Sequence, residues 1–243
     1  MDLSCSFHKF ALVVPTLNEA ENLPLLLDRV REVLQPNNLP YEILVVDDNS
    51  QDGTHAIVRA LALQDSRIRL LVRHNARGLA TAVVHGWQNT DADLLGVMDA
   101  DLQHPPELLP KLLAEARQHD LVVASRYLDA KSVNGWNALR SAMSRLSTAI
   151  SAPLLRRVRV KDPMSGYFVV RRSAIDATRL EPVGFKILLE VLVRGRIRFV
   201  KEVPFHFGLR HAGKSKASAR VAWQYFSQLR KLSRDTLIGT AGR

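Results

Sequence analysis

Residues 42–64 read EILVVDDNSQDGTHAIVRALALQ. An apolar run over 42–47 enters a cluster of Asp, Asn, Ser and Gly, and then a segment over 53–64 with apolar residues at helical spacing. A continuous apolar strand, as opposed to an alternating one, is buried on both faces, and a strand feeding directly into a helix is the unit of a parallel sheet. The same unit recurs on either side. Strands are expected at about 10–14 (FALVV), 68–73 (IRLLVR), 94–98 (LLGVM) and 121–125 (LVVAS), with helices at about 20–35, 78–89 and 106–118. The fold class predicted is α/β, with a mostly parallel central sheet covered by helices on both faces. Beyond residue 126 the pattern changes to a helix at about 138–151, a strand near 167–171, a helix near 184–194, a strand near 197–203 and a final helix near 217–234. This part is expected to complete the sheet and then cover the site or reach a membrane.

Composition narrows the class. The 243 residues are 47% hydrophobic and 24% charged, which suits a folded core. The single cysteine, Cys5, can form no internal disulfide, and residues 1–10 lack the basic start and apolar core of a secretory signal. No apolar run approaches the roughly 18 residues of a membrane span. The net charge of +10 is divided unevenly: residues 1–139 hold 12 Lys/Arg against 18 Asp/Glu, and residues 140–243 hold 22 against 6. A uniformly basic chain would point to nucleic acid. An acidic half joined to a basic half points instead to a metal site beside an anion-binding or membrane-facing surface. With 6% aromatic residues and no stacking pattern among the basic ones, a nucleic-acid binder is disfavoured.

In open α/β sheets ligands gather at the carboxyl ends of the strands. Strand one runs into Pro15-Thr16-Leu17-Asn18-Glu19, strand two into Asp47-Asp48-Asn49-Ser50, and strand four into Asp99-Ala100-Asp101-Leu102-Gln103. Carboxylates so crowded repel one another and raise one another's pKa unless a cation or donor groups intervene. Asp99 and Asp101, two apart on a segment read as extended, project to one side and can share a divalent ion that also grips phosphate oxygens, with Gln103 as the next oxygen ligand. Asn49, Ser50 and Asp52 serve equally as turn and cap residues, and His104 beside the diproline reads as a turn residue and not as a base. A glycosidase also needs two carboxylates but needs neither a nucleotide-sized crevice nor a basic half. No Gly-x-x-x-x-Gly-Lys-Ser/Thr follows a strand, and no Gly-x-Gly-x-x-Gly follows strand one.

Read in order, the segments PTLNE (15–19), VVDDNSQDGT (45–54), GLATAVVHG (78–86), DADLQHPP (99–106), SRY (125–127), DPMSGYF (162–168), GFKILLE (184–190) and GLRHAGKSK (208–216) resemble the family 2 glycosyltransferases of the GT-A fold, and among them the dolichol-phosphate mannose synthases. The resemblance runs from about Val13 to Lys216. It implies that Pro15, Leu17, Glu19, Val45 and Asp47 line a nucleotide-sugar pocket, that Asp99 and Ala100 touch the donor, and that Lys216 helps on the donor side. It also implies that Asp101 and Gln103, with Asp99, hold Mg²⁺ or Mn²⁺. Arg126, Arg140, Ser144 and Arg210 would hold the acceptor phosphate, so that catalysis turns on Asp99, Asp101, Arg126 and Arg210. Leu17 stands where many relatives have Tyr, and Lys214 where Glu is frequent.

The chemistry agrees with this implication. A polyprenyl phosphate is nearly a dianion at neutral pH (second pKa about 6) and attacks an anomeric carbon without a strong general base. Such an enzyme needs a metal for the leaving diphosphate and cations to align the nucleophile. Arg126 directly follows strand five, and Arg140 and Ser144, four apart, share one helix face. The function expected is therefore inverting transfer of a hexose, mannose from GDP-mannose by resemblance, onto a polyprenyl phosphate such as dolichyl phosphate. UDP-glucose as donor, or a hydroxyl acceptor in polysaccharide synthesis, are the alternatives. Residues 1–210 are read as the catalytic domain and 211–243 as a basic amphipathic segment. Val221, Ala222, Tyr225, Phe226, Leu229 and Leu232 lie on one face of the final helix, with Arg220, Arg230, Lys231 and Arg234 nearby. That helix either packs on the core or binds anionic lipid, and the second reading places the enzyme at the cytoplasmic face of a membrane.

Overall fold

The structure, a computed structural model, describes residues 7–36, 38–128, 150–151, 154–155, 158–177, 179–182, 184–206, 208 and 227–233. Its centre is a seven-stranded sheet: β1 (Phe10–Thr16), β2 (Tyr41–Asp47), β3 (Ile68–Val72), β4 (Leu94–Val97), β5 (Leu121–Ser125), β6 (Phe168–Arg171) and β7 (Val200–Pro204). The spatial order is β3-β2-β1-β4-β6-β5-β7. All neighbours pair in parallel except β6, which runs antiparallel to both β4 and β5.

Burial explains the unbroken apolar strands. On β1, Phe10, Leu12 and Val14 enter one core while Ala11 and Val13 enter the other, as the period of two requires. The first core is closed by α1 (Leu23–Leu34), α2 (Thr54–Gln64) and α4 (Leu109–Ala116). Helix α1 presents Leu23, Leu26, Leu27, Val30 and Leu34 along one stripe and takes Pro24 in its first turn, where no N–H is needed. The second core is closed by α3 (Leu79–Gln88) and α5 (Ile187–Arg194). Helix α3 can sit close because Gly86 has no side chain: a Cβ there would lie 2.7 Å from a Val13 methyl.

Helix 184–194 starts later than the sequence suggested, at Ile187, because Gly184 adopts a left-handed backbone with φ 75°. The expected helix at 138–151 lies outside the described residues except for its last two positions, which are helical. Of the final helix, 227–233 are helical, and Leu229 and Leu232 are buried in the second core. Gln228 donates from Nε2 to the Lys186 carbonyl at 3.0 Å, and Lys231 pairs with Glu181 at 2.7 Å. This part of the helix therefore packs on the core, while Arg230 points outward.

Candidate active site

Strand order reverses between β1, which continues outward to β2, and β4, which continues the other way to β6. Such a switch point opens a crevice at the carboxyl ends of the strands. A cavity of about 270 Å³ lies there. The loop after β1 contributes Pro15, Leu17 and Glu19; the loop after β4 contributes Asp99, Ala100 and Asp101; and Gly78 and Leu79 come from the start of α3. Six residues expected at the site are thus brought to one crevice.

The acidic groups of that rim differ in what already holds them. Asp47 is fully buried and accepts from the Ser50 amide at 2.8 Å, the Ser50 hydroxyl at 2.5 Å and the His55 ring at 2.5 Å. With Val45, also fully buried, it stands behind the wall and not among the residues lining the cavity. Asp48 lines the cavity but is bound to Arg73, whose Nε donates to it at 2.7 Å, and to the Gly78 amide at 2.7 Å. Arg73 in turn reaches the Gly78 carbonyl and the Thr81 hydroxyl, each at 3.0 Å, which fixes the loop that opens α3. Gly78 is needed in that loop for its φ of 134°. Ser50, Asp52 and Asn18 tie the first two loops together: the Ser50 hydroxyl accepts the Asn18 amide at 2.7 Å, Asn18 Oδ1 accepts the Gln51 amide at 3.0 Å, and Asp52 accepts the Ala20 amide at 3.0 Å. Asn49 takes a left-handed turn with φ 62°.

The loop after β4 departs from the extended segment expected. Residues 100–101 form a turn, Asp101 accepts the Gln103 amide at 3.2 Å, and Leu102 is held at φ 62°, a conformation costly for a bulky residue. Alternation therefore does not carry the Asp99 and Asp101 side chains to one side; the turn does so instead, and both line the cavity. Gln103 Nε2 donates to the Gly208 carbonyl at 3.0 Å, and the Gly208 amide donates back to the Gln103 carbonyl at 2.9 Å. His104 is buried against Tyr167 and Phe205, with ring centroids at 5.2 and 5.7 Å. Burial pushes its pKa down to about 4, so it is neutral, and its Nδ1 accepts the Asp99 amide at 3.2 Å. The Tyr167 hydroxyl donates to the Pro105 carbonyl at 3.1 Å.

Arg126 follows β5 as expected, and a buried carboxylate grips it. Its Nε and Nη2 donate to the two oxygens of Asp162, each at 2.7 Å, and its amide donates to the same carboxylate at 3.1 Å. Burial opposes the guanidinium charge, but Asp162 overcomes this and raises the Arg126 pKa. Beside this pair Lys186 donates to the Met164 carbonyl at 3.3 Å and packs 4.5 Å from the Phe185 ring centroid. Burial, helped by the nearby Arg126 charge, pushes its pKa down to about 8. Arg140, Ser144, Arg210 and Lys216 lie outside the described residues.

Among the described residues no group of three or more His, Cys, Asp or Glu forms a ready cage for a metal. Two carboxylates at a crevice mouth nevertheless suit a small hard cation that takes its other ligands from substrate phosphates and water.

The glycosyl transferase family 2 model matches residues 11–179, a span that includes every strand-end loop of this crevice. The chain belongs to that family. Among curated relatives of this family 2 glycosyltransferase, the dolichol-phosphate mannosyltransferase of Pyrococcus furiosus is 38% identical over 92% of the chain. The chain spans 63% of that protein's length. The dolichol-phosphate mannosyltransferase of Saccharomyces cerevisiae is 36% identical over 92% of the chain and 86% of its own length. Among solved structures, glucosyl-3-phosphoglycerate synthase of Mycobacterium tuberculosis, in complex with Mn²⁺, UDP-glucose and phosphoglyceric acid, superposes with a TM-score of 0.67 at 18% identity, covering 93% of this chain and 79% of that one. Mannosyl-3-phosphoglycerate synthase of Rubrobacter xylanophilus gives 0.64 at 17% identity, covering 96% and 75%. The fold is GT-A, with a mostly parallel sheet at its centre.

Among the residues at this candidate site that were not singled out from the sequence are Arg73, Gly78, Asp162 and Lys186. Gly78, Asp162 and Lys186 lie in segments that carried the resemblance, GLATAVVHG, DPMSGYF and GFKILLE, so the signal was present without a role attached. Arg73 gave none, since its partner Asp48 is 25 residues away.

Proposed function

We propose that the chain transfers mannose from GDP-mannose to the phosphate of a polyprenyl phosphate such as dolichyl phosphate, with inversion. One observation carries the reading: Asp99 and Asp101 line the crevice between the β1 loop and α3, with Arg126 directly after β5, which β6 separates from β4. The names of the 36–38% identical relatives, dolichol-phosphate mannosyltransferases, support mannose as the sugar and a polyprenyl phosphate as the acceptor. In this reading the nucleotide lies along Pro15, Leu17 and Glu19, above the wall that Val45 and Asp47 stiffen, and Asp99 and Ala100 meet the diphosphate and sugar.

Asp99 and Asp101, with Gln103 beside them, would hold Mg²⁺ or Mn²⁺, which when bound supplies positive charge for the departing diphosphate. The Mn²⁺ in the Mycobacterium tuberculosis complex belongs to a protein of the same fold. Arg126, with Arg140, Ser144 and Arg210, aligns the acceptor phosphate for in-line attack. A neutral, buried His104 is unfit as a base, and a phosphate nucleophile needs none. Lys216 acts on the donor side, and the basic 211–243 segment meets the anionic surface of the membrane that carries the acceptor. None of the described helices is long and apolar enough to cross a membrane.

A donor panel tests the reading. GDP-mannose, UDP-glucose and UDP-galactose are each offered with one polyprenyl phosphate, with and without EDTA, and products are identified by mass spectrometry. Mannosyl phosphoryl lipid formed only without EDTA is the expected product. Glucosyl product alone would replace the donor, and turnover undiminished by EDTA would remove the metal.

A further inference from the structure

We infer that Asp162 is a positioning residue for Arg126, and that the segment Asp162–Gly166 fixes the acceptor-binding arginine relative to the donor-side carboxylate Asp99. This rests on the function proposed above. The Asp162 side chain has no exposed surface, and a buried carboxylate is tolerated only when its charge and lone pairs are matched. Arg126 matches them with three donors: backbone amide, Nε and Nη2. Contact along the Nε–Nη2 edge fixes the guanidinium plane. It also decides which edge faces an anion, because the edge that can grip a phosphate with two parallel bonds is then Nη1–Nη2.

Asp162 is itself held. Glu202, on strand β7, accepts the Asp162 amide at 3.1 Å and the Lys161 amide at 2.9 Å. Immediately after Met164 the chain is pinned to β5 as well. The Ser165 hydroxyl donates to the Ala124 carbonyl at 2.7 Å, and the Ala124 amide donates to the Tyr167 carbonyl at 3.0 Å. Gly166 then passes so near Asp99 that a Cβ would stand 2.9 Å from its Oδ2. Five residues therefore touch Arg126 at one end and Asp99 at the other, and strands β5 and β7 anchor both ends. A phosphate nucleophile must meet the sugar carbon in line, so the spacing between these two groups is the quantity the segment controls.

The test is a kinetic double-mutant cycle on the full chain with GDP-mannose and a polyprenyl phosphate. Asp162→Asn should raise the acceptor KM and lower kcat/KM for the acceptor by about tenfold, with donor KM nearly unchanged. In the Arg126→Ala background the same change should have almost no kinetic effect, since Asp162 acts through Arg126. Asp162→Glu should recover part of the loss. Equal effects of Asp162→Asn in both backgrounds, or an unchanged acceptor KM, would overturn the inference. If Asp162→Asn does not fold, Glu202→Gln serves, with a smaller rise in acceptor KM expected and none in the Arg126→Ala background. Wild-type enzyme inactive on polyprenyl phosphate would defeat the functional reading instead. The positioning claim is then decided by ¹⁵N correlation of arginine side chains. A slowly exchanging Nε–H, assigned to Arg126 by its loss in Arg126→Lys, should vanish in Asp162→Asn, and its persistence there would refute the claim.

Discussion

The Nδ1 of His104 accepts the backbone N–H of Asp99 at 3.2 Å. The bond spans the turn between the first residue of the β4 loop's acidic pair and the diproline, so a buried neutral ring sets the backbone that carries Asp99. Its acceptor state depends on burial, which holds the pKa at about 4. His104→Leu keeps an apolar side chain against Tyr167 and Phe205 but leaves the Asp99 amide without this partner. The expected outcome is a loss of about tenfold in kcat with a melting temperature within a few degrees of wild type. Unchanged kcat would show that the bond does not position Asp99.

Gly166 tests the same carboxylate from the other side. Gly166→Ala places a methyl 2.9 Å from Asp99 Oδ2, so the carboxylate must move. The expected result is weaker activation by Mg²⁺ or Mn²⁺, read as a higher metal concentration for half-maximal rate, with little change in unfolding free energy. By contrast Gly86→Ala drives a Cβ to 2.7 Å from a methyl of Val13 in the core and should cost about 1–3 kcal/mol of stability, measured by denaturant titration.

These two glycines mark what the sequence concealed. The strands, the helices and their parallel stacking were legible because both rest on local periodicity, as β1 and α1 show. The crevice was legible because acidic residues recur at strand ends. The antiparallel insertion of β6 between β4 and β5 was not, since pairing Phe168–Arg171 with Leu94–Val97 joins segments some 70 residues apart and leaves no local trace. The same holds for Asp48 with Arg73 and Arg126 with Asp162: each residue is ordinary alone, and only the fold makes it half of a buried ion pair. Extending the strand pattern into Asp99–Asp101 failed because an Asp101 side-chain bond and a left-handed Leu102 turn the chain there.

Lys186 offers a prediction with a definite sign. Burial lowers its pKa from 10.5 to about 8 in the folded protein, so at pH 7 the folded state carries a charge it holds less readily than the unfolded chain. This penalty is full below about 8 and is relieved as pH rises from 8 to 10.5, because the unfolded state then binds the extra proton. The side chain is only half-buried, so solvent reduces the effect. Lys186→Met should therefore be more stable than wild type at pH 7 by about 1 kcal/mol, with the gain shrinking toward pH 10. Urea titrations at the two pH values read the difference, and a gain that grows with pH would reverse the assignment.

Membrane contact is best tested by charge, because deleting the final helix would uncover the core around Leu229 and Leu232. Arg230→Glu, at an outward position, should weaken co-sedimentation with phosphatidylserine vesicles at low salt, and added salt should release the wild type. Equal binding of both forms would assign this part of the helix to the core alone.

The central claim is that the acceptor nucleophile is a phosphate aligned by Arg126. It is tested most directly by offering the enzyme, with GDP-mannose and Mg²⁺, a polyprenyl phosphate and the matching polyprenol in parallel, using wild type and Arg126→Ala. The account predicts that only the phosphate is glycosylated, and that Arg126→Ala lowers kcat/KM for it by an amount equivalent to a few kcal/mol. Efficient glycosylation of the free alcohol, unaffected by Arg126→Ala, would contradict it.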